Sequence, residues 1–480
     1  MKDNEVCMKG KVVKIILITL LVVVLSVLLF SAIWPLFQKK AKTEDLSFPF
    51  TSINNEENKE RIVCVDDNLD ALLWRLKVIN TATETLDFAT FSFNDDRSGR
   101  DIMAALNNAA NRGVKIRMVI DGLSTFLYLR NSDYFNVLAS NENVTVKHYN
   151  PINFLKPWRF NYRMHDKYII ADDDVYMLGG RNTKNLSIGN YQEEKDIDRD
   201  VVVYNQSPHS NDSLHQVKNY FNNIWNENCT KVYKAKGRNK KITEDSIAHL
   251  KMYYENLKED FPSCFEPIDW INETMAVNSI YLLSNPIHNG NKKPLLWANL
   301  NQIIRSGKDI IIQTPYIMCN KMMYGDLRAL NDPLKDGSKR NVRIVTNSVE
   351  NGANIMGCAD YLNQKKKIRG LGHAVYEYNG DHSSHAKTVL IDDNISVIGS
   401  FNYDMRSAYI DTELMLVIDS PELNKYLRDI NIDNMKQSRC VKSDGSVTYG
   451  ENYVEKSLSK GKKVLYTFLR VLTVPLRFLL

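Results

Sequence analysis

"HDKYIIADDDVYMLGGRN" runs from His165 to Asn182, and "HAKTVLIDDNISVIGSFN" runs from His385 to Asn402. Each places a lysine (Lys167, Lys387) two residues after its histidine, then an aspartate (Asp172, Asp392) and an asparagine (Asn182, Asn402) at identical offsets. One such pattern can arise by accident in a long chain. Two, in matching surroundings, mark an internal repeat that organises the fold.

Outward from the motifs the two copies stay in step. The first has strands at Leu86 to Phe93, "VKIRMVIDG" and Val144 to Asn150, with the helix "GRDIMAALNNAANRG" among them. The second answers with strands at Lys308 to Ile317, Asn341 to Ser348 and His373 to Asn379, and with a helical stretch around Leu327 to Leu334. Strands alternating with helices predict an α/β fold, each copy a mixed β-sheet flanked by helices. The expected lobes are residues 61–235 and 272–438, joined by a polar, helix-prone connector at 236–271. Downstream, "IDRDVVVY" (Ile197 to Tyr204) parallels "IDTELMLV" (Ile410 to Val417), which sets Asp200 opposite Glu413.

Alternate residues of a strand share a face, so His165 and Lys167 point one way, as do His385 and Lys387. If the motif faces meet, one cleft holds two imidazoles, two ammonium groups and two carboxamides. That set suits a phosphodiester. Lys167, Lys387, Asn182 and Asn402 can bind its non-bridging oxygens, and the imidazoles can divide nucleophilic and acid-base work. A nucleophilic histidine needs a carboxylate to fix its tautomer, a role open to Glu413 and to Asp200 or its neighbour Asp198. No carboxylate-rich cage surrounds the motifs, and the reaction is expected to use no metal and no cofactor.

The ends of the chain have another character. From Ile15 to Phe37 no charge interrupts an apolar run, and about 23 residues at 1.5 Å each can cross a ~30 Å hydrocarbon core. A transmembrane helix at 15–37 is therefore expected, between an N-terminal tail (1–14) and a linker (38–60). Lysines flank it on both sides, so its orientation is not decided. At the other end, residues 456–480 are apolar but carry Lys463, Arg470 and Arg477 at intervals of seven. This reads as a basic amphipathic helix in a membrane interface, or else as a last core-packing helix. The net charge of +5 comes from that tail, so a broadly basic nucleic-acid binder is not indicated. Seven scattered cysteines suggest neither a zinc site nor a disulfide framework.

Paired H-x-K-x4-D motifs followed by G-G/S-x-N resemble the phospholipase D superfamily. The block "ATFSFNDDRSGRDIMAALNNAANRGVKIRMVIDG", the first motif and "IGSFNYDMRSAYIDTELML" are most similar to its bacterial cardiolipin synthase branch, over residues 61 to 438. The resemblance implies two pseudo-twofold-related lobes, with His165, Lys167, Asp172, His385, Lys387 and Asp392 as the catalytic set. Asn182, Asn402 and Ser400 would lie at the substrate phosphate. One histidine, His165 by analogy, would form a covalent phosphohistidine while the other protonates the leaving alcohol. The implied activity is phosphatidyl transfer between phospholipids, phosphatidylglycerol or a related anionic lipid, at the cell membrane through a single N-terminal anchor and a peripheral C-terminal segment. The alternative is hydrolysis of a phospholipid, or less readily of nucleic acid. Copy one alone inserts "PINFLKPWRFNYRM" (Pro151 to Met164) before its motif. Its aromatic and basic residues suit a cleft mouth at an anionic lipid surface, or a lid packed on its own lobe.

Overall fold

A computed structural model of the chain describes residues 2–37, 59–208 and 212–480. The repeat holds strand for strand. The first lobe has β1 (Glu60–Val65), β2 (Thr85–Thr90), β3 (Lys115–Asp121), β4 (Val144–Tyr149), β5 (Lys167–Ala171), β6 (Val175–Gly179) and β7 (Asp200–Asn205), ordered β1-β7-β6-β5-β2-β3-β4. The second has β8 (Ser279–Ser284), β9 (Asp309–Gln313), β10 (Asn341–Asn347), β11 (Ala374–Tyr378), β12 (Thr388–Ile391), β13 (Ile395–Gly399) and β14 (Leu414–Asp419), ordered β8-β14-β13-β12-β9-β10-β11. In each lobe the β2-β3-β4 ladder, or its β9-β10-β11 counterpart, is parallel. The motif hairpins β5-β6 and β12-β13 pair antiparallel in the middle of the sheets.

Both motif hairpins are buried on both faces, which is why they read as nearly unbroken apolar runs. One face of each sheet meets its own lobe's helices. In the first lobe these are α1's successors α2 (Asn68–Thr81) and α3 (Arg97–Asn111), where α1 is Lys2–Phe37. The opposite faces close on each other. Tyr168, Ile170 and Val201 of the first sheet share a core with Leu390, Ile398 and Leu416 of the second, together with α4 (Ser213–Asn226) and the helix Pro421–Lys436. Each fully buried leucine or isoleucine there contributes about 1.5–3 kcal/mol. The lobes are thus one body with a common core.

Several boundaries differ from expectation. The connector contains α5 (Lys240–Asp260), which packs on α3 and so belongs to the first lobe. The second sheet continues past residue 438 through Ser438–Val441 and Val447–Tyr449. The helix expected at Leu327 to Leu334 begins earlier, as Lys321–Arg328. A further helix, α6 (Ile355–Arg369), lies between β10 and β11; its run of lysines obscures any apolar stripe. The stretch expected as an N-terminal tail is helical from Lys2, continuous with the apolar segment Lys14–Ser31, which is long and apolar enough to cross a bilayer. The expected linker, 38–60, lies outside the described residues except for its last two. Among the described residues, Cys64, Cys229, Cys264, Cys319, Cys358 and Cys440 are free thiols.

The C-terminal helix α7 (Lys460–Leu476) packs on α6. Its arginines face the body: Arg470 bonds Asn363, and Arg477 pairs with buried Asp360 at 2.7 Å. Tyr466, Leu469 and Thr473 are buried with them. Of the three cations spaced by seven, Arg470 and Arg477 are bonded to the body, while Lys463 stays exposed.

Candidate active site

The two motifs meet where short segments cross between the lobes. Asp196–Ile197 pairs in parallel with Ser383–Ser384, and Met164 bridges to Thr412. The His165 amide donates to the Thr412 carbonyl (3.2 Å) and the His385 amide to the Ile197 carbonyl (2.6 Å). Each histidine is therefore held beside the residue that follows its partner carbonyl in the other lobe. His165 Nδ1 lies 3.0 and 3.1 Å from the Glu413 carboxylate oxygens, and His385 Nδ1 lies 2.5 Å from Asp198 Oδ2. With Nδ1–H given to a carboxylate, each ring presents Nε2. The histidine side chains keep 11% and 22% of their surface exposed while both carboxylates are buried. The rings can be reached, and their partners cannot.

Sheet register settles which carboxylates correspond. Gly179 pairs with Asp200 where Gly399 pairs with Met415, and the Gly180 amide donates to Arg199 where Ser400 donates to Leu414. The counterpart of Glu413 is thus Asp198. The similarity of "IDRD" to "IDTE" placed Asp200 there because the loops before β7 and β14 differ in length. Asp200 instead pairs with Arg75 at 3.1 Å and Arg181 at 3.3 Å, a buried cluster within the first lobe.

The same correspondence explains why copy one has Gly180 where copy two has Ser400. Ser400 Oγ donates to Glu413 Oε2 at 2.5 Å, so it serves the carboxylate and does not face a substrate phosphate. A Cβ at position 180 would stand 2.3 Å from Asp198 Oδ1. Only glycine leaves room for the shorter carboxylate to reach His385. Ser407, which the motif spacing gave no sign of, donates to the other oxygen of Glu413 at 2.6 Å.

Asp172 and Asp392 are not in the cleft. They occupy the turns of the motif hairpins with φ of 48°, at the opposite end of β5 and β12, roughly 20 Å along the strand from the histidines. Asp172 accepts from the amides of Thr83, Glu84 and Thr85 at 2.7–2.9 Å, and Asp392 from those of Lys308 and Asp309 at 2.8 and 2.9 Å. They pin the starts of β2 and β9 to the hairpins. Aspartate tolerates this left-handed backbone because its short side chain bonds locally.

Lys167 and Lys387 are buried beside the histidines. Lys387 Nζ is 3.2 Å from Asp198 and 3.3 Å from His385 Nε2. Burial lowers Lys167 to about 7, opposed by Glu413. Burial and the Lys167 charge hold the His165 imidazole well below its ordinary value, with His385 and Lys387 adding to the effect across the lobes. Burial raises Glu413 to about 8, against Lys167 and its two serine donors. Asp198 goes the other way. Burial works to raise it, but Lys387 and His385 hold it below the usual carboxylate range. The halves are electrostatically unequal, one with a firmly ionised carboxylate and one sharing its proton.

The amide oxygens of Asn182 and Asn402 are buried and accept no hydrogen bond from the described residues. Phe91 packs edge-on against His165 with centroids 4.9 Å apart, a wall the motifs did not reveal. Beside His385 a shallow depression is lined by Tyr316, Asn347, Val349, Asn354, Cys358 and Tyr361. Together the histidines and lysines can receive a phosphodiester and neutralise its charge. Among the described residues no cluster of three metal-ligating side chains is present.

Comparison with known proteins agrees with this architecture. A profile of the cardiolipin synthase, PLD-like domain family matches residues 76–225 and 300–432, one segment in each lobe. An uncharacterized protein of Helicobacter pylori (strain ATCC 700392 / 26695) is 26% identical over 454 residues, 84% of this chain and 86% of its own length. Cardiolipin synthase C of Escherichia coli (strain K12) is 26% identical over 415 residues, 75% of this chain and 81% of its own. Among solved structures, the phosphatidylserine synthase of Haemophilus influenzae Rd KW20 covers 89% of this chain and 98% of its own with a TM-score of 0.58 at 16% identity, a likeness of fold. With both lobes matched over more than half of its length, the chain belongs to the phospholipase D-like family of cardiolipin synthases.

Proposed function

We propose that the protein is a membrane-anchored phosphatidyltransferase of cardiolipin synthase type, held by α1 and acting on phosphatidylglycerol or a related anionic phospholipid. The observation that carries this reading is the pair of reachable imidazoles, each oriented by a buried carboxylate from the opposite lobe, with a buried lysine beside each. The family relation and the similarity to cardiolipin synthase C of Escherichia coli support the lipid substrate.

His165 is the proposed nucleophile. Its Nε2 has no partner among the described residues, whereas Lys387 Nζ crowds the His385 ring, 2.6 Å from Nδ1 and 3.3 Å from Nε2. His165 Nε2 attacks phosphorus and the bond to the headgroup oxygen breaks, while His385 delivers a proton to that oxygen so that a neutral alcohol leaves, glycerol in the case of phosphatidylglycerol. The alcohol of a second lipid then gives its proton to His385 and attacks phosphorus. The phosphorus–nitrogen bond breaks and His165 is restored. Lys167, Lys387, Asn182 and Asn402 would carry the charge on the phosphoryl oxygens throughout.

Purified protein in phosphatidylglycerol vesicles should yield cardiolipin and free glycerol, and His165→Ala or His385→Ala should abolish both. Phosphatidic acid as the main product would move the assignment to a hydrolase. With a phosphatidyl donor whose p-nitrophenol leaving group departs without a proton, a phosphoenzyme trapped in His385→Ala but absent from His165→Ala supports the assigned nucleophile, and the reverse pattern exchanges the two histidines.

A further inference from the structure

The helix α7 is apolar on two sides: Tyr466 and Leu469 pack into the core of the second lobe, and a second apolar stripe is left uncovered. Arg470 and the following Arg477 bond the body beside the buried Tyr466 and Leu469, and the stripe of Val464, Phe468 and Val471 points outward, 72%, 66% and 75% exposed. These positions fall on one stripe at helical spacing. A water-facing helix gains nothing by this arrangement, and an exposed apolar patch of this kind marks a contact surface.

The insertion before the first motif has the same property. Its second half is fixed in the body: Tyr162 is buried, and Arg163 pairs with Asp121 at 3.3 Å. Its first half projects, with Phe154 63%, Leu155 86% and Trp158 40% exposed. Phe154 is braced by Phe126 and Phe160, so the tip is stiff and still uncovered.

These surfaces and α1 converge. The end of α1 packs on the turn Pro157–Arg159 and on the turn Arg477–Leu479 that follows α7. Asn291 also donates to the Pro35 carbonyl at 2.9 Å. Lys156 and Arg159 on the insertion, and Lys460 and Lys463 on α7, have no carboxylate partner among the described residues. Apolar side chains beside unpaired cations, next to a helix able to cross a bilayer, match the acyl and phosphate layers of an anionic membrane in both character and position.

We propose that the outward face of α7 and the tip of the 151–160 insertion form one bilayer-docking surface, continuous with α1, that inserts among the lipids and holds the cleft mouth at headgroup level. The placement suits the site. Lys462 and Tyr466 of α7 line an open groove that reaches Ser383, a residue shared with the depression beside His385. The insertion runs directly into His165. This inference rests on the phospholipid reading above.

The test places a genetically encoded fluorescent amino acid at Leu155 or Phe468 of the full-length protein, in vesicles containing phosphatidylglycerol and lipids spin-labelled near the headgroup or deep in the acyl chain. Both positions should be quenched, more strongly by the shallow label, while a probe at Leu21 is quenched more strongly by the deep one. Lack of quenching at either position overturns the single surface. As a second reading, Val471→Asp should lower activity at least tenfold on vesicles and less than twofold on detergent-dispersed lipid. Equal loss in both assigns the face to packing and overturns docking. Quenching involves no phosphodiester chemistry, so a protein that docks but forms no cardiolipin fails the reaction and leaves the surface standing.

Discussion

Replacing Asp198 with asparagine isolates the cross-lobe bond, because the amide keeps the size of the carboxylate and removes its charge. Asp198 is buried, with His385 Nδ1 at 2.5 Å and Lys387 Nζ at 3.2 Å. Leaving a buried lysine without its counter-ion costs about 3–5 kcal/mol if the ammonium stays charged. Burial already lowers Lys387, and loss of the Asp198 charge lowers it further, which offsets part of that cost. A melting temperature several degrees lower is expected, with the fold retained. Activity should fall much further, since an amide no longer selects the Nδ1–H tautomer or stabilises the imidazolium. By analogy with carboxylate loss beside other catalytic histidines, the decrease is about 10³-fold to 10⁴-fold. The assay is cardiolipin formation in phosphatidylglycerol vesicles, normalised to folded protein by circular dichroism. Activity within threefold of the parent in a folded variant would refute the orienting role. Asp200→Asn is the neighbouring control, expected to lower stability through Arg75 and Arg181 and to spare the reaction per folded molecule.

Asp172→Ala and Asp392→Ala should each lower unfolding stability by about 2 kcal/mol, since they lose charge-assisted bonds at partly exposed turns, with specific activity kept; loss of activity in a fully stable variant would return these residues to the chemistry. Lys167, lowered to about 7 by burial, is charged below that pH and neutral above it in the free enzyme, so kcat/KM should fall as pH rises through about 7. Lys167→Arg, which stays charged, should remove that limb. Asp166 is buried between Tyr220 and Thr412, and burial raises it to about 7. Its folded value lies above its unfolded one, so its favourable contribution is complete below pH about 4 and is lost as pH rises toward 7. Asp166→Asn should therefore gain about 1–4 kcal/mol on the parent at pH 8 and nothing at pH 4, measured by denaturant unfolding.

The repeat, the mixed sheet flanked by helices in each half and the histidines and lysines that meet in the cleft were legible because the two copies keep identical offsets from His165 to Asn182 and from His385 to Asn402. Across those segments each strand is fixed by its neighbours and tolerates no insertion. Legibility ended where loop length varies. Between Asn182 and β7 the first copy is longer than the second between Asn402 and β14, and a short similarity within that loop misplaced the orienting carboxylate by two residues. Asp172 and Asp392 looked catalytic because they recur, but what recurs is a turn whose carboxylate gathers backbone amides. For α7, periodicity distinguished two faces without saying which of them met protein, since that depends on Asp360 and Asn363, about a hundred residues away in sequence.

The exchange of carboxylates between lobes also constrains the history of the chain. His165 answers to Glu413 and His385 to Asp198, so a half that existed alone would have carried a histidine with no orienting partner until it met a second copy of itself. Duplication followed by fusion preserves such a dimer inside one polypeptide and frees its two sites to diverge. Divergence is then possible only in matched pairs, as in Gly180 with Asp198 and Ser400 with Glu413. A change in either half registers as a lesion in the other, and selection acts on the pair.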